Sequence, residues 1–207
     1  MFWLLWIQLL YANPYLDYRM ELEDQVLYKI IESELSDPEI EELVHAFHVE
    51  VFASYRLCYE VALHYNRRNE LAQAMHYYNQ ALAISPTYTS ALYDRAELFL
   101  LQSKVDLAKQ DLQNIIQHST DEVHWVVYYR LAQISASLED GVALENYMQL
   151  AVTHGLPVQV IADDRIVWQQ YCHSKTVNAS MSLFLSAIGA EDILQQIQPV
   201  LKKEKPQ

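Results

Sequence analysis

"YRLCYEVALHYNRRNELAQAMHYYNQALAISPTY", residues 55 to 88, holds two apolar helical patterns separated by the polar stretch NRRNE and closed by Pro86. It can be laid without a gap over residues 89 to 122, "TSALYDRAELFLLQSKVDLAKQDLQNIIQHSTDE". The overlay pairs Ala62 with Ala96, Tyr65 with Phe99, Leu71 with Val105, Ala74 with Ala108, and Tyr78 with Leu112. A fixed period of this length marks an array of helix pairs, in which each unit buries its apolar side against its neighbours.

Each pairing has a mechanical reason. Small Ala62 and Ala74 on facing helices let a hairpin close, and Tyr65, Leu71 and Tyr78 fill the space around the contact. Ala81 lets the second helix approach the next repeat. Pro86 stops that helix, because it has no backbone N–H to donate and cannot continue the turn.

With Ala62, Ala74, Ala81 and Pro86 at positions 8, 20, 27 and 32 of a 34-residue unit, the stretch resembles the tetratricopeptide repeat. The second copy departs at Ile115, where a small residue is usual, and at Thr120, where proline is usual. A third copy follows after a two-residue slip, with Leu131, Ala132 and Ala151 in place and Leu144 replacing a small residue. The stretch "LAVTHGLPVQVIADDRIVWQQY" is similar to the closing segment of some repeat groups. The resemblance implies an all-α fold, an α-solenoid of helix-turn-helix repeats with helical caps at both ends. The resemblance covers the repeat domain (55–173); the flanks, read from their own patterns, are an amino-terminal apolar segment and acidic hairpin (1–54) and carboxy-terminal helices with a basic tail (174–207). Within the repeat domain the units are about 55–88, 89–122 and 125–156, closed by 157–173.

The flanks read as helices too. "LEDQVLYKIIESEL" carries an apolar stripe at Leu22, Val26, Leu27, Ile30 and Ile31, the spacing of an amphipathic helix. "SDPEIEELVHAFHVEVFASY" opens with Ser36 or Asp37 as cap and Pro38 in the first turn, followed by acids where the helix dipole favours them. "MSLFLSAIGAEDILQQIQPVLKK" reads as two helices broken near Gly189.

Composition narrows the function. The chain has 207 residues, only three glycines and a formal charge of −13, which suits helices and opposes broad contact with phosphates. Residues 17 to 50 alone hold eleven carboxylates against Arg19 and Lys29. Cys58 and Cys172 are far apart with no paired spacing, so neither a disulfide framework nor a zinc site is expected, and the cytoplasm is the expected compartment. The opening "MFWLLWIQLLYANP" is too short an apolar run to span a bilayer and has no basic residue before it. It packs on the protein, or serves as a signal or tether in an alternative reading.

No catalytic motif, phosphate loop or cofactor signature is present, so no catalytic residue, metal or cofactor is expected. Glu42 and His45 form an E-x-x-H pair with His48 one turn on, a spacing that can converge on a metal. A bridged pair of metals needs a second such motif, and Glu60 and His64 are spaced four apart. A metal-binding helical protein or enzyme using Glu42, His45 and His48 is therefore the alternative function. Asp163 and Asp164 read as a cap on the following helix, and the acceptor triplet at Asn178 bears only on a secreted chain.

In the resembled family the first helix of each repeat lines a concave peptide-binding surface. Carried over by position, the lining is Arg56, Tyr59, Glu60, Leu63, Asn66 and Arg67, then Ser90, Tyr93, Asp94, Glu97, Leu100 and Leu101, then Tyr129, Arg130 and Gln133. Members that hold acidic chaperone tails present basic residues there, whereas this chain presents Glu60, Asp94 and Glu97. The resemblance thus implies a non-catalytic adaptor, scaffold or assembly chaperone. Its partner is a protein that offers a peptide or helix with basic and apolar residues, not a nucleic acid or a membrane.

Overall fold

In the computed structural model, residues 14–32, 35–50, 53–119, 123–171 and 174–201 are described. They form twelve helices and no strand. The sequence expectations for residues 1–12, for Cys172 and for the basic tail lie outside the described residues. The chain divides into two compact units, Met1–Leu98 and Phe99–Gln207.

The first unit holds α1 (Pro14–Glu32), α2 (Asp37–Glu50), α3 (Tyr55–Arg67), α4 (Leu71–Ile84) and most of α5 (Thr89–Leu101). The closely packed pair is α3 with α4. Val61, Ala62 and Tyr65 on α3 and Ala74, Tyr78 and Ala81 on α4 are fully buried, which is the small-against-large pattern of the sequence. Helix α4 ends at Ile84, two residues before Pro86, and Ser85 caps it by donating its N–H to Ala81 O at 2.8 Å.

The second unit holds the end of α5, α6 (Val105–His118), α7 (Trp125–Ser137), α8 (Gly141–Thr153), α9 (Gln159–Asp163), α10 (Arg165–Tyr171), α11 (Lys175–Ala187) and α12 (Glu191–Leu201). Helix α7 packs closely on α8, and α8 on α11. Gly141 permits the second contact, since a Cβ there would meet Ser180 Oγ at 2.6 Å.

The repeat period is written in the backbone. Helices α3, α5, α7 and α11 are each 13 residues long. Each is followed by a partner starting at the same offset: Tyr55 to Leu71, Thr89 to Val105, Trp125 to Gly141 and Lys175 to Glu191. Between them the chain turns through a left-handed residue, Asn69 (φ 61°), Ser103 (58°), Glu139 (59°) and Gly189 (72°). The following N–H reaches back five residues in each case: Glu70 to Tyr65 O, Lys104 to Phe99 O, Asp140 to Ser135 O and Ala190 to Leu185 O, at 2.8–2.9 Å. This is the Schellman closure, which satisfies carbonyls left open at a helix end. It makes residues 175–201 a fourth helix pair in the same register, where the sequence had shown only two helices and a break.

The period also runs backwards. Ile40, Val44 and Phe47 of α2 are buried, and each stands 34 residues before Ala74, Tyr78 and Ala81. Helix α2 is capped by Ser36, whose N–H and hydroxyl both donate to Glu39 Oε2, at 2.8 and 2.6 Å. Those bonds hold the Glu39 carboxyl below its ordinary range.

Helix α1 buries Leu27, Ile30 and the acid Glu23, while Ile31 of the expected stripe is exposed. Glu23 is buried because it accepts the hydroxyl of Ser54, the residue that caps α3 by accepting from Leu57 N. Next to it, Asp24 pairs with Arg56 at 2.9 Å. Two acids of α1 thus address the start of α3, one through its cap and one through its first turn.

Candidate partner-binding face

In the first unit, α3 and α5 are the first helices of consecutive repeats. None of the ten residues expected on their shared face is buried. Arg56 and Arg67 are exposed, and Tyr59, Glu60, Leu63, Asn66, Ser90, Tyr93, Asp94 and Glu97 are half-buried. The helices are joined directly: Tyr59 Oη donates to Asp94 Oδ2 at 2.9 Å. Arg95, on the neighbouring side of α5, donates to Asn79 Oδ1 of α4 at 2.8 Å.

Around Tyr59 the surface is aromatic. Its ring meets Tyr88 edge-on with centroids 5.2 Å apart, and Tyr78 at 6.1 Å, and Tyr88 in turn meets Tyr55 at 4.9 Å. Burial pushes the Asp94 carboxyl above its ordinary value of 3.8, with the Tyr59 hydrogen bond pulling the other way. Burial, and then the charge of Asp94, pushes the Tyr59 phenol up, so it remains a donor at neutral pH. Asp94 is thus a partly desolvated acceptor built into the wall, where the sequence pattern had placed an acidic lining residue without its partner Tyr59.

In the second unit the expected residues fare differently. Leu100 is half-buried and Leu101 exposed. Arg130 is half-buried, its Nη1 donating to Gln133 Oε1 at 2.7 Å. Tyr129 and Gln133 are buried. The cause is Trp168 of α10, which is fully buried, donates its indole N–H to Tyr129 Oη at 3.0 Å and packs edge-on to that ring. The closing segment therefore covers α7 where the repeat pattern had placed an open tyrosine. Trp168 is the residue that sequence reasoning missed; the one tryptophan of the closing segment was the available signal.

The alternative metal site does not assemble. Glu42 and His45 are exposed on α2, whereas His48 is half-buried and its Nε2 lies 3.7 Å from Cys58 Sγ. Burial lowers the His48 pKa and pushes the Cys58 thiol up to about 12, which favours a partly buried contact between neutral groups. Among the described residues no group of three or more potential ligands is arranged to hold a metal ion. Asp164 precedes α10 and accepts from Trp168 N through its carbonyl at 3.0 Å, the backbone part of a cap. The Asn178 side-chain amide donates to the carbonyl of Leu201, and so ties α11 to α12. Among the described residues no helix is long and apolar enough to cross a membrane.

No protein-family model matches the sequence, and no curated protein matches it. Solved structures do. A tetratricopeptide repeat protein from Parabacteroides merdae is 15% identical with a TM-score of 0.57, over 91% of this chain and 80% of that one. PilF of Pseudomonas aeruginosa is 16% identical with a TM-score of 0.56, over 89% and 92%. YrrB, described as a TPR protein with an unusual peptide-binding site, is 14% identical with a TM-score of 0.52, over 76% and 81%. At such identities the likeness concerns the fold. Together with the period and its recurring turn, it makes this chain a helical-repeat protein with the tetratricopeptide-repeat fold.

Proposed function

We propose that the protein is a non-catalytic interaction module, an adaptor, scaffold or assembly chaperone of the cytoplasm, that holds a peptide or helix of a partner protein on the face formed by α3 and α5. The observation that carries this reading is the Tyr59–Asp94 hydrogen bond. It joins the first helices of consecutive repeats into one wall whose other residues, Glu60, Leu63, Tyr93 and Glu97, remain partly accessible. Such a wall offers rigid aromatic area, which binds at low entropic expense, together with acidic groups that select their partner. Glu60, Asp94 and Glu97 disfavour an acidic segment and favour one with Lys or Arg beside apolar anchors, since juxtaposed like charges cost several kcal/mol.

The test is photocrosslinking in source cells, from a crosslinker placed at Leu63 on α3 or at exposed Ala83 on α4. The reading expects one protein captured from position 63 and not from 83, with the capture lost in Glu60→Lys, Glu97→Lys. Capture from Ala83 alone would place recognition on the second helices and overturn it.

A further inference from the structure

We propose that the tyrosine cluster at the start of α3 seats an arginine side chain of the bound segment; the proposal rests on the reading of α3 and α5 as the binding face, and it names the anchor. Tyr55 is the first residue of α3, Tyr59 lies one turn on, and Tyr88 closes the connection into α5. Their rings form a continuous chain, 4.9 Å from Tyr55 to Tyr88 and 5.2 Å from Tyr88 to Tyr59. Tyr55 is 41% exposed, so the cluster is open to a ligand at that end.

The charges around the cluster are complementary to a cation. Asp94 accepts from Tyr59, and the Glu60 carboxylate acts on Tyr88. The basic residue beside Tyr88 is Arg56, and Asp24 of α1 holds it in an ion pair at 2.9 Å. Helix α1 therefore offsets the positive charge that acts on Tyr88 and would repel an incoming cation. Aromatic faces attract cations through the ring quadrupole, and a planar guanidinium stacks on them while its N–H groups stay free to bond carboxylates. A lysine ammonium, a strongly hydrated point charge, gains less from such a surface.

The experiment uses the full chain with ring-labelled tyrosine, titrated with the peptide Ac-Gly-Leu-Arg-Leu-Gly-amide and with its counterpart carrying citrulline, the neutral isostere of arginine. The Tyr55 and Tyr88 ring signals should move saturably with the arginine peptide, at an affinity about five- to tenfold above that of the citrulline peptide. Tyr55→Ala should reduce the arginine peptide to the citrulline level while the Tyr129 signal, from the second unit, stays where it is. Equal affinity for the two peptides overturns the proposal. Movement of Tyr93 without Tyr55 and Tyr88 also overturns it, yet keeps the α3–α5 face. If no tyrosine moves, the arginine seat is wrong, and the face is judged separately by the crosslink from Leu63.

Discussion

Trp168 donates its indole N–H to the hydroxyl of Tyr129 at 3.0 Å, and both side chains are buried. Burial, ahead of the nearby Asp164 charge, pushes the Tyr129 phenol up. The bond is therefore one between neutral groups at any physiological pH, and each partner needs the other. Trp168→Ala should destabilise the protein by about 3–5 kcal/mol through the cavity left beside α7. Tyr129→Phe should cost about 1–2 kcal/mol by leaving the indole N–H unpaired. Urea unfolding measures both; a Trp168→Ala midpoint equal to wild type would mean that α10 does not belong to the core.

Ala74 is fully buried on α4, the helix packed closely on α3. Ala74→Leu drives three extra carbons into that close contact and should destabilise the protein by about 1–3 kcal/mol. Denaturant midpoints decide the matter. An unchanged midpoint would refute the register that places Ala62 against Ala74.

The raised Asp94 carboxyl makes a prediction whose sign is fixed by linkage. A carboxyl with a folded-state pKa above its unfolded value binds more protons when folded, so its ionisation lowers stability as pH rises from its ordinary 3.8 into the raised range. Asp94→Asn can still accept from Tyr59 but has no charge to desolvate. The stability of Asp94→Asn relative to wild type should therefore improve as pH rises from about 3.5 to about 7. Paired urea titrations at several pH values test this, and a constant difference would show that burial does not weigh on the Asp94 charge.

Cys58 is fully buried and its thiol is pushed up to about 12 by burial. At pH 8 only a minute fraction is thiolate, so native protein should resist iodoacetamide at Cys58 for hours and react within minutes once unfolded. Peptide mass spectrometry separates this residue from Cys172. Rapid native labelling at Cys58 would contradict the packing of α3 against α2 and α4.

Much of the fold is legible in the sequence, because the repeat spaces its small residues at fixed intervals. Ala62, Ala74 and Ala81 mark close helix contacts, and Pro86 marks a stop. The fourth pair is harder to see. Leu194 stands where Ala74 and Ala108 stand in the first two pairs, so the side-chain pattern has decayed while the left-handed turn at Gly189 and the helix lengths persist. The positions expected on the candidate face are accessible on α3 and α5, whereas Tyr129 and Gln133 of α7 are buried. Position within a repeat says which way a residue points, but not what later chain comes to cover it. No one-dimensional pattern shows Trp168 reaching Tyr129 from 39 positions downstream. The same limit applies to Asp94, whose partner Tyr59 lies on another helix, 35 positions away.

On the proposed reading, α3 and α5 present an acidic and aromatic face to a basic segment of another protein. The most direct measurement is the affinity of the segment crosslinked from Leu63 for wild type and for Glu60→Lys, Glu97→Lys, both titrated from about 50 to about 500 mM salt. Both substituted positions are partly exposed, so stability should stay within about 1 kcal/mol of wild type. The account predicts affinity that falls with salt in wild type and is at least about tenfold weaker at low salt in the charge-reversed protein. Equal affinity for the two proteins at every salt concentration would contradict it.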